Sequence, residues 1–202
     1  MHQLPAGAAL RPRLGRTVQG PWIGRHAESE ALIRQLLAEA GSRPTVGTPQ
    51  VVNAPGAQSE ADSANLQSAE IYFGYELGGN LASAGRVTKD RDRTYRKPAR
   101  LGLNHWALEG NWIVSKHSAV LNQPRGSNAY RFHARDLHFV LGPGADGRPV
   151  RFRVSIDGRP PGAAHGADVD KKGDGIVDAE RLYQLIRQPG PISDRTFEIE
   201  FL

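Results

Sequence analysis

Arg100–Leu108, RLGLNHWAL, runs directly into Glu109-Gly110-Asn111 and then Trp112–Ser115, WIVS, and the reading of this stretch decides the fold. Apolar residues recur at every second position, the spacing of a half-buried strand rather than a helix. Leu101, Leu103 and His105 share one face; Gly102, Asn104 and Trp106 share the other. The stretch reads as a strand, with Glu109-Gly110-Asn111 as a turn into a second strand at Trp112–Ser115 and a short third at Ala119–Leu121. If Leu101 and Leu103 point inward, Trp106 points outward beside Asn104 and Arg100. A flat indole flanked by polar side chains is the composition of a sugar-stacking platform, so Trp106, Asn104 and Arg100 form the expected ligand site. The competing reading buries Trp106, either under a loop or through a bulge that turns it inward.

The same period of two extends in both directions. Upstream, Glu70–Glu76 (EIYFGYE) reads as the first strand. Downstream, Ala129–Arg135 places Tyr130, Phe132 and Ala134 opposite Arg131, His133 and Arg135. Leu137–Leu141 follows at once, which calls for a corner or bulge near Asp136. Val150–Ile156, Leu182–Ile186 and Thr196–Phe201 complete the set. No helical pattern separates these segments, so the expected fold is mainly β, an antiparallel β-sandwich. One helix precedes it. Leu32, Ile33, Leu36, Leu37 and Ala40 recur at helical spacing over Glu28–Ala40, Gly41 stops the helix, and Pro44 forbids its continuation. Between Ser42 and Ser68 the chain is small, polar and punctuated by proline, the composition of a flexible linker. The expected division is therefore residues 1–43 with the helix, a linker over 44–67, and the β domain over 68–202.

Composition excludes several function classes. The 202 residues contain no cysteine, which removes disulfides, thiolate metal sites and thiol nucleophiles from this chain. The net charge of +5 is spread along the sequence. Its densest run, Lys89–Lys97, is interrupted by Asp90 and Asp92 and reads as a solvated loop, not a nucleic-acid surface. No apolar run reaches the roughly 18 residues of a membrane span, and the amino terminus shows no secretory apolar region. Gly142–Gly147 matches GxGxxG in letters but leads into a strand, so it reads as a hairpin loop. Asp168, Asp170, Asp174 and Asp178 have the alternation of a calcium loop, with calcium as the one cofactor it would hold. Lys172 or Arg181 occupies a ligand slot in either register, and a plain Asp/Gly turn is the alternative. His133 and His138 lie among arginines, and no nucleophile elbow or HExxH is present. A catalytic centre is not expected.

Four stretches carry a resemblance: SAEIYFGY (68–75), LNHWALEGNW (103–112), YRFHARDLHFVLGP (130–143) and RLYQLIRQPGPI (181–192). From about Arg25 to Leu202 the chain resembles the C-terminal region of DipZ-type thiol:disulfide interchange proteins. That resemblance implies a parent with a membrane domain, a thioredoxin-like domain and a carbohydrate-binding-module-like sandwich of jelly-roll type. Glu28–Ala40 would be the last helix of the thioredoxin-like domain. The family's CxxC has no counterpart here. The family is extracytoplasmic or membrane-tethered, while the sequence itself names no compartment. The resemblance also implies one more apolar strand after Phe201-Leu202, so Thr196–Phe201 is expected to be an uncapped edge prone to self-association. The expected function is a redox-inactive accessory module binding a carbohydrate. A protein-interaction module that positions the thioredoxin-like domain is the runner-up, and a degenerate fragment without function is the third reading.

Overall fold

In a computed structural model describing residues 26–41, 62, 64–144 and 146–202, one α-helix, nine strands and a short 3₁₀ turn at Gly162–Ala164 are present. In chain order the helix and strands are α1 (His26–Glu39), β1 (Asp92–Tyr95), β2 (Trp106–Val114), β3 (Ala119–Leu121), β4 (Ser127–Phe132), β5 (Asp136–Leu141), β6 (Val150–Ile156), β7 (Asp174–Val177), β8 (Arg181–Arg187) and β9 (Arg195–Phe201). The chain divides into two units, Met1–Ser63 and Ala64–Leu202.

In the first unit the described structure is α1. Gly41 ends it with φ of 75°, a left-handed conformation that glycine adopts without steric penalty, and its N–H donates to the Ala38 carbonyl at 3.0 Å. Glu30 and Arg34, one turn apart, pair at 2.8 Å. Leu36 is buried while Ile33 and Leu37 are exposed. The expected organisation of residues 1–25, and of the linker over 44–61, lies outside the described residues.

The second unit is built of antiparallel sheets. A seven-stranded sheet has the order β1-β2-β4-β9-β6-β7, with β3 also paired to β2; β5 and β8 form a separate two-stranded sheet. Alternation explains which faces meet. Phe152, Val154 and Ile156 of β6 and Phe197 and Ile199 of β9 are buried, as are Leu137 and Leu141 of β5 and Tyr183 and Leu185 of β8. All belong to one core, and Phe152 meets Tyr183 edge-on with ring centroids 6.3 Å apart.

Several expectations are corrected. The C-terminal strand β9 lies between β4 and β6, hydrogen-bonded on both sides, so the expected open edge at Thr196–Phe201 does not exist. Glu109-Gly110-Asn111 is not a turn. The strand continues through it with a kink, because Gly110 takes φ of 101° and a Cβ there would stand 2.9 Å from the Gly126 Cα. At that kink β2 changes partners, pairing with β4 through Glu109 and with β1 and β3 beyond it. Asp92–Tyr95, expected as a solvated loop, is an edge strand anchored by the buried Tyr95. Glu70–Glu76, expected as the first strand, joins no ladder: the chain bends at Gly74 and turns over residues 75–77, where the Gly78 N–H donates to the Gly74 carbonyl at 2.8 Å, although Ile71, Phe73 and Tyr75 are more buried than Glu70, Tyr72 and Glu76. Gly142–Gly147 connects the small sheet to the large one and is not a hairpin.

Candidate functional site

The expected platform is reorganised at Asn104. This residue has φ of 63°, and the His105 N–H donates back to the Gly102 carbonyl at 3.1 Å, so the chain turns before β2 begins. The turn breaks the alternation on which the outward reading rested. Trp106 is 2 % exposed. Its Nε1 donates to the Gly79 carbonyl at 2.6 Å, and Phe73 meets its ring edge-on at 4.7 Å. The expectation that Trp106 faces outward is therefore wrong: a buried indole with its N–H satisfied offers no open face for stacking. Asn104 acts as a clamp. Its Oδ1 accepts from the Ser68 hydroxyl at 2.6 Å and the Tyr130 hydroxyl at 3.4 Å, and its Nδ2 donates to the Gln67 carbonyl at 3.1 Å. Arg100 is exposed. The three residues do not form one surface.

Around this clamp lies a polar cluster that the sequence pattern did not reveal. The strands β2, β4 and β9 are neighbours, so the start of β2, the end of β4 and the approach to β9 meet at one end of the sheet. There His133 Nδ1 lies 2.7 Å from Asp194 Oδ1, and Arg131 donates to Asp194 Oδ2 at 3.3 Å. The hydrogen bond from His133, helped by Arg131 and opposed by desolvation, holds the Asp194 carboxyl below the usual carboxylate range. Ser68 is not an activated nucleophile here. Its oxygen accepts the His133 backbone N–H at 2.8 Å, and its own proton goes to Asn104. The cluster fastens Gln67 and Ser68 to the sheet, with the Gln67 N–H reaching the His133 carbonyl at 3.0 Å.

The four aspartates of the expected calcium loop go to separate partners. Asp168 pairs with Arg181 at 2.9 Å and accepts the Gln184 N–H at 2.7 Å. Asp170 closes a turn, accepting the N–H groups of Lys172 and Asp174 at 2.8 and 2.9 Å. Asp174 opens β7 and pairs with Arg153 at 2.6 Å. Asp178 accepts the Tyr183 hydroxyl at 2.9 Å, the main reason that its carboxyl lies below the ordinary range. Arg181 stacks 3.8 Å over the Tyr183 ring, between Asp168 and Asp178. Among the described residues no three His, Cys, Asp or Glu side chains come together in a way that could hold a metal ion.

The open chemistry lies on the outer face of the large sheet. Directly paired residues point to the same side. Glu109, Ser127, Glu200, Arg153 and Asp174 are each paired with the next and form one row across β2, β4, β9, β6 and β7, in which Ser127 is buried and donates its hydroxyl to Glu198 at 2.9 Å. At strand spacing that row is about 19 Å long. Lys97 reaches across it to Glu198, and to Glu109 at 3.4 Å. Burial opposes its charge, but the two carboxylates outweigh burial and hold the ammonium above the ordinary lysine range. Beyond the Gly110 kink the same face continues onto the wing formed by β1, β2 and β3. Thr94 is paired with Asn111, and Asn122 donates its N–H to the Asn111 carbonyl at 2.9 Å; Asp92 is paired with Ile113, and Ile113 with Val120. Reading Glu109-Gly110-Asn111 as a turn hid this wing.

Comparison with known proteins places the β unit in a family. The family model for the "Thioredoxin like C-terminal domain" matches residues 68–202. Two curated relatives, each called Protein DipZ, come from Mycobacterium bovis and Mycobacterium tuberculosis. Each is 26 % identical over 140 residues, a match that covers 65 % of this chain and 19 % of the relative.

Proposed function

We propose, from the premise that this chain belongs to the thioredoxin like C-terminal domain family, that it is a non-catalytic accessory binding module for a glycan-type ligand. The observation that carries this reading is the polar outer face of the seven-stranded sheet. The opposite face is committed to the core, whereas this one offers carboxylates, hydroxyls, amides and a guanidinium in paired rows, the groups that hydrogen-bond sugar hydroxyls. Thiol–disulfide exchange is not part of the proposed activity, because the attacking group must be a thiolate and the chain has no cysteine. Among the described residues no helix is long and apolar enough to cross a membrane. The chain matches about a fifth of the length of its curated relatives, and whatever the remainder does is theirs.

The test is an oligosaccharide array probed with the full chain. Dose-dependent binding to a defined set of glycans is expected, and binding to none overturns the reading. A second reading rests on Val140 and Leu182, directly paired on the two-stranded sheet and 56 % and 45 % exposed. Such an apolar pair fits a module that docks a partner protein, here a thioredoxin-like domain. Silence on the array, with Val140-dependent binding of such a domain, would favour it.

A further inference from the structure

Two rows of three residues face outward on the wing. Thr94, Asn111 and Asn122 make the first, and Asp92, Ile113 and Val120 the second. At strand dimensions the patch measures about 10 Å by 7 Å, the footprint of one or two pyranose rings. Its polar groups are only partly used. Asn122 Nδ2 donates to Asn111 Oδ1 at 2.9 Å, but Asn111 Nδ2 reaches Asp92 Oδ2 and Thr94 Oγ1 only at 3.5 Å each. Bonds of that length are weak. The second Asp92 oxygen, the Thr94 hydroxyl proton and the Asn122 carbonyl make no hydrogen bond to other described residues. The patch thus holds both donors and acceptors for vicinal hydroxyls. Val120, 53 % exposed, and the half-buried Ile113 supply the apolar ground for the C–H side of a ring.

Charge narrows the ligand further. Asp92 is the one charged residue of the six. The neighbouring Arg93 turns away, donating to the Arg86 carbonyl and, at 3.2 Å, to the Ala84 carbonyl. A uronate or sulfated sugar would meet the Asp92 carboxylate within the patch itself, whereas a neutral sugar would be accepted by it. We infer that the outer face of the β1–β2–β3 wing, through Asp92, Thr94, Asn111 and Asn122, binds a neutral hexopyranose unit. The inference rests on the glycan reading above and adds the place and the class of sugar.

The experiment titrates the ¹⁵N-labelled full chain with cellobiose, maltose and mannobiose, and in parallel with digalacturonate, following backbone and side-chain amide resonances. At least one neutral disaccharide is expected to shift the Asn111 and Asn122 side-chain amides, and digalacturonate to leave them in place. Asn111→Ala should weaken binding about tenfold, the loss of one well-made hydrogen-bond set. Asn122→Ala lies outside the strands and tests the same site if the first variant fails to fold. Asp92→Asn should bring digalacturonate binding up toward that of the neutral sugar. Sugar-induced shifts that map elsewhere, or survive Asn111→Ala and Asn122→Ala unchanged, overturn this site and leave the glycan reading standing. Stronger binding of digalacturonate by the natural chain overturns the neutral class. Absence of binding to any glycan on the array overturns the glycan reading and this inference together.

Discussion

Trp106 and His138 show how single side chains answer to their surroundings. Because Trp106 is sealed among Phe73 and the sheet core, Trp106→Ala should cost about 3–5 kcal/mol of stability, read as a shift of the urea midpoint. A loss below about 1 kcal/mol would mean that the indole is not the packing element described. His138 on β5 is half-buried, and burial lowers its pKa from the ordinary 6.5; Arg187 and Arg135 push the same way, while Asp136 and Asp168 oppose them. The folded protein therefore takes up this proton less readily than the unfolded chain. Stability is full above the unfolded value, starts to decline as pH falls through about 6.5, and goes on declining until the folded pKa is passed. Urea midpoints measured between pH 7.5 and 5 should fall more for the natural chain than for His138→Asn. Equal slopes would show that burial of His138 is not coupled to protonation.

At the scale of elements, β2 and the Asp168–Asp178 loop carry the most consequence. β2 keeps its full length because Gly110 accepts a positive φ and lets Gly126 approach. Gly110→Ala should destabilise the unit by about 1–3 kcal/mol, from backbone strain and the clash together. It should also broaden the amide resonances of β1 and β3 while sparing β6. The loop holds its own cation: the Arg181 guanidinium lies between Asp168 and Asp178, pairing with them at 2.9 and 3.9 Å. Millimolar calcium should leave the melting temperature of the natural chain unchanged, whereas Arg181→Ala should lower it. A clear upward shift with calcium alone would refute the assignment of Arg181 to that role.

On the scale of the whole molecule, among the described residues the core shared by the two sheets is drawn from Ala64–Leu202. A chain beginning at Ala64 should therefore fold and melt within a few degrees of the full chain; failure to fold would show that residues 1–63 complete the β unit. Much of this organisation was legible in the sequence. Alternation over Val150–Ile156 and Arg195–Phe201 and the Gly41 stop are local signals, and the extent of each element follows from residues within a turn or two. The family, too, was legible from four motifs. What the tertiary structure alone decided is which way Trp106 faces, whether Glu109-Gly110-Asn111 turns or continues, and that β9 lies inside the sheet. A period of two says that two faces exist but not which of them is buried. One left-handed residue, Asn104, is enough to exchange them, and its conformation is held by Ser68, Gln67 and Tyr130, 26 to 37 positions away along the chain. Strand neighbours are chosen by the same long-range pairing, so the outer face with Asn111 and Asn122 comes into being only when β1, β2 and β3 meet.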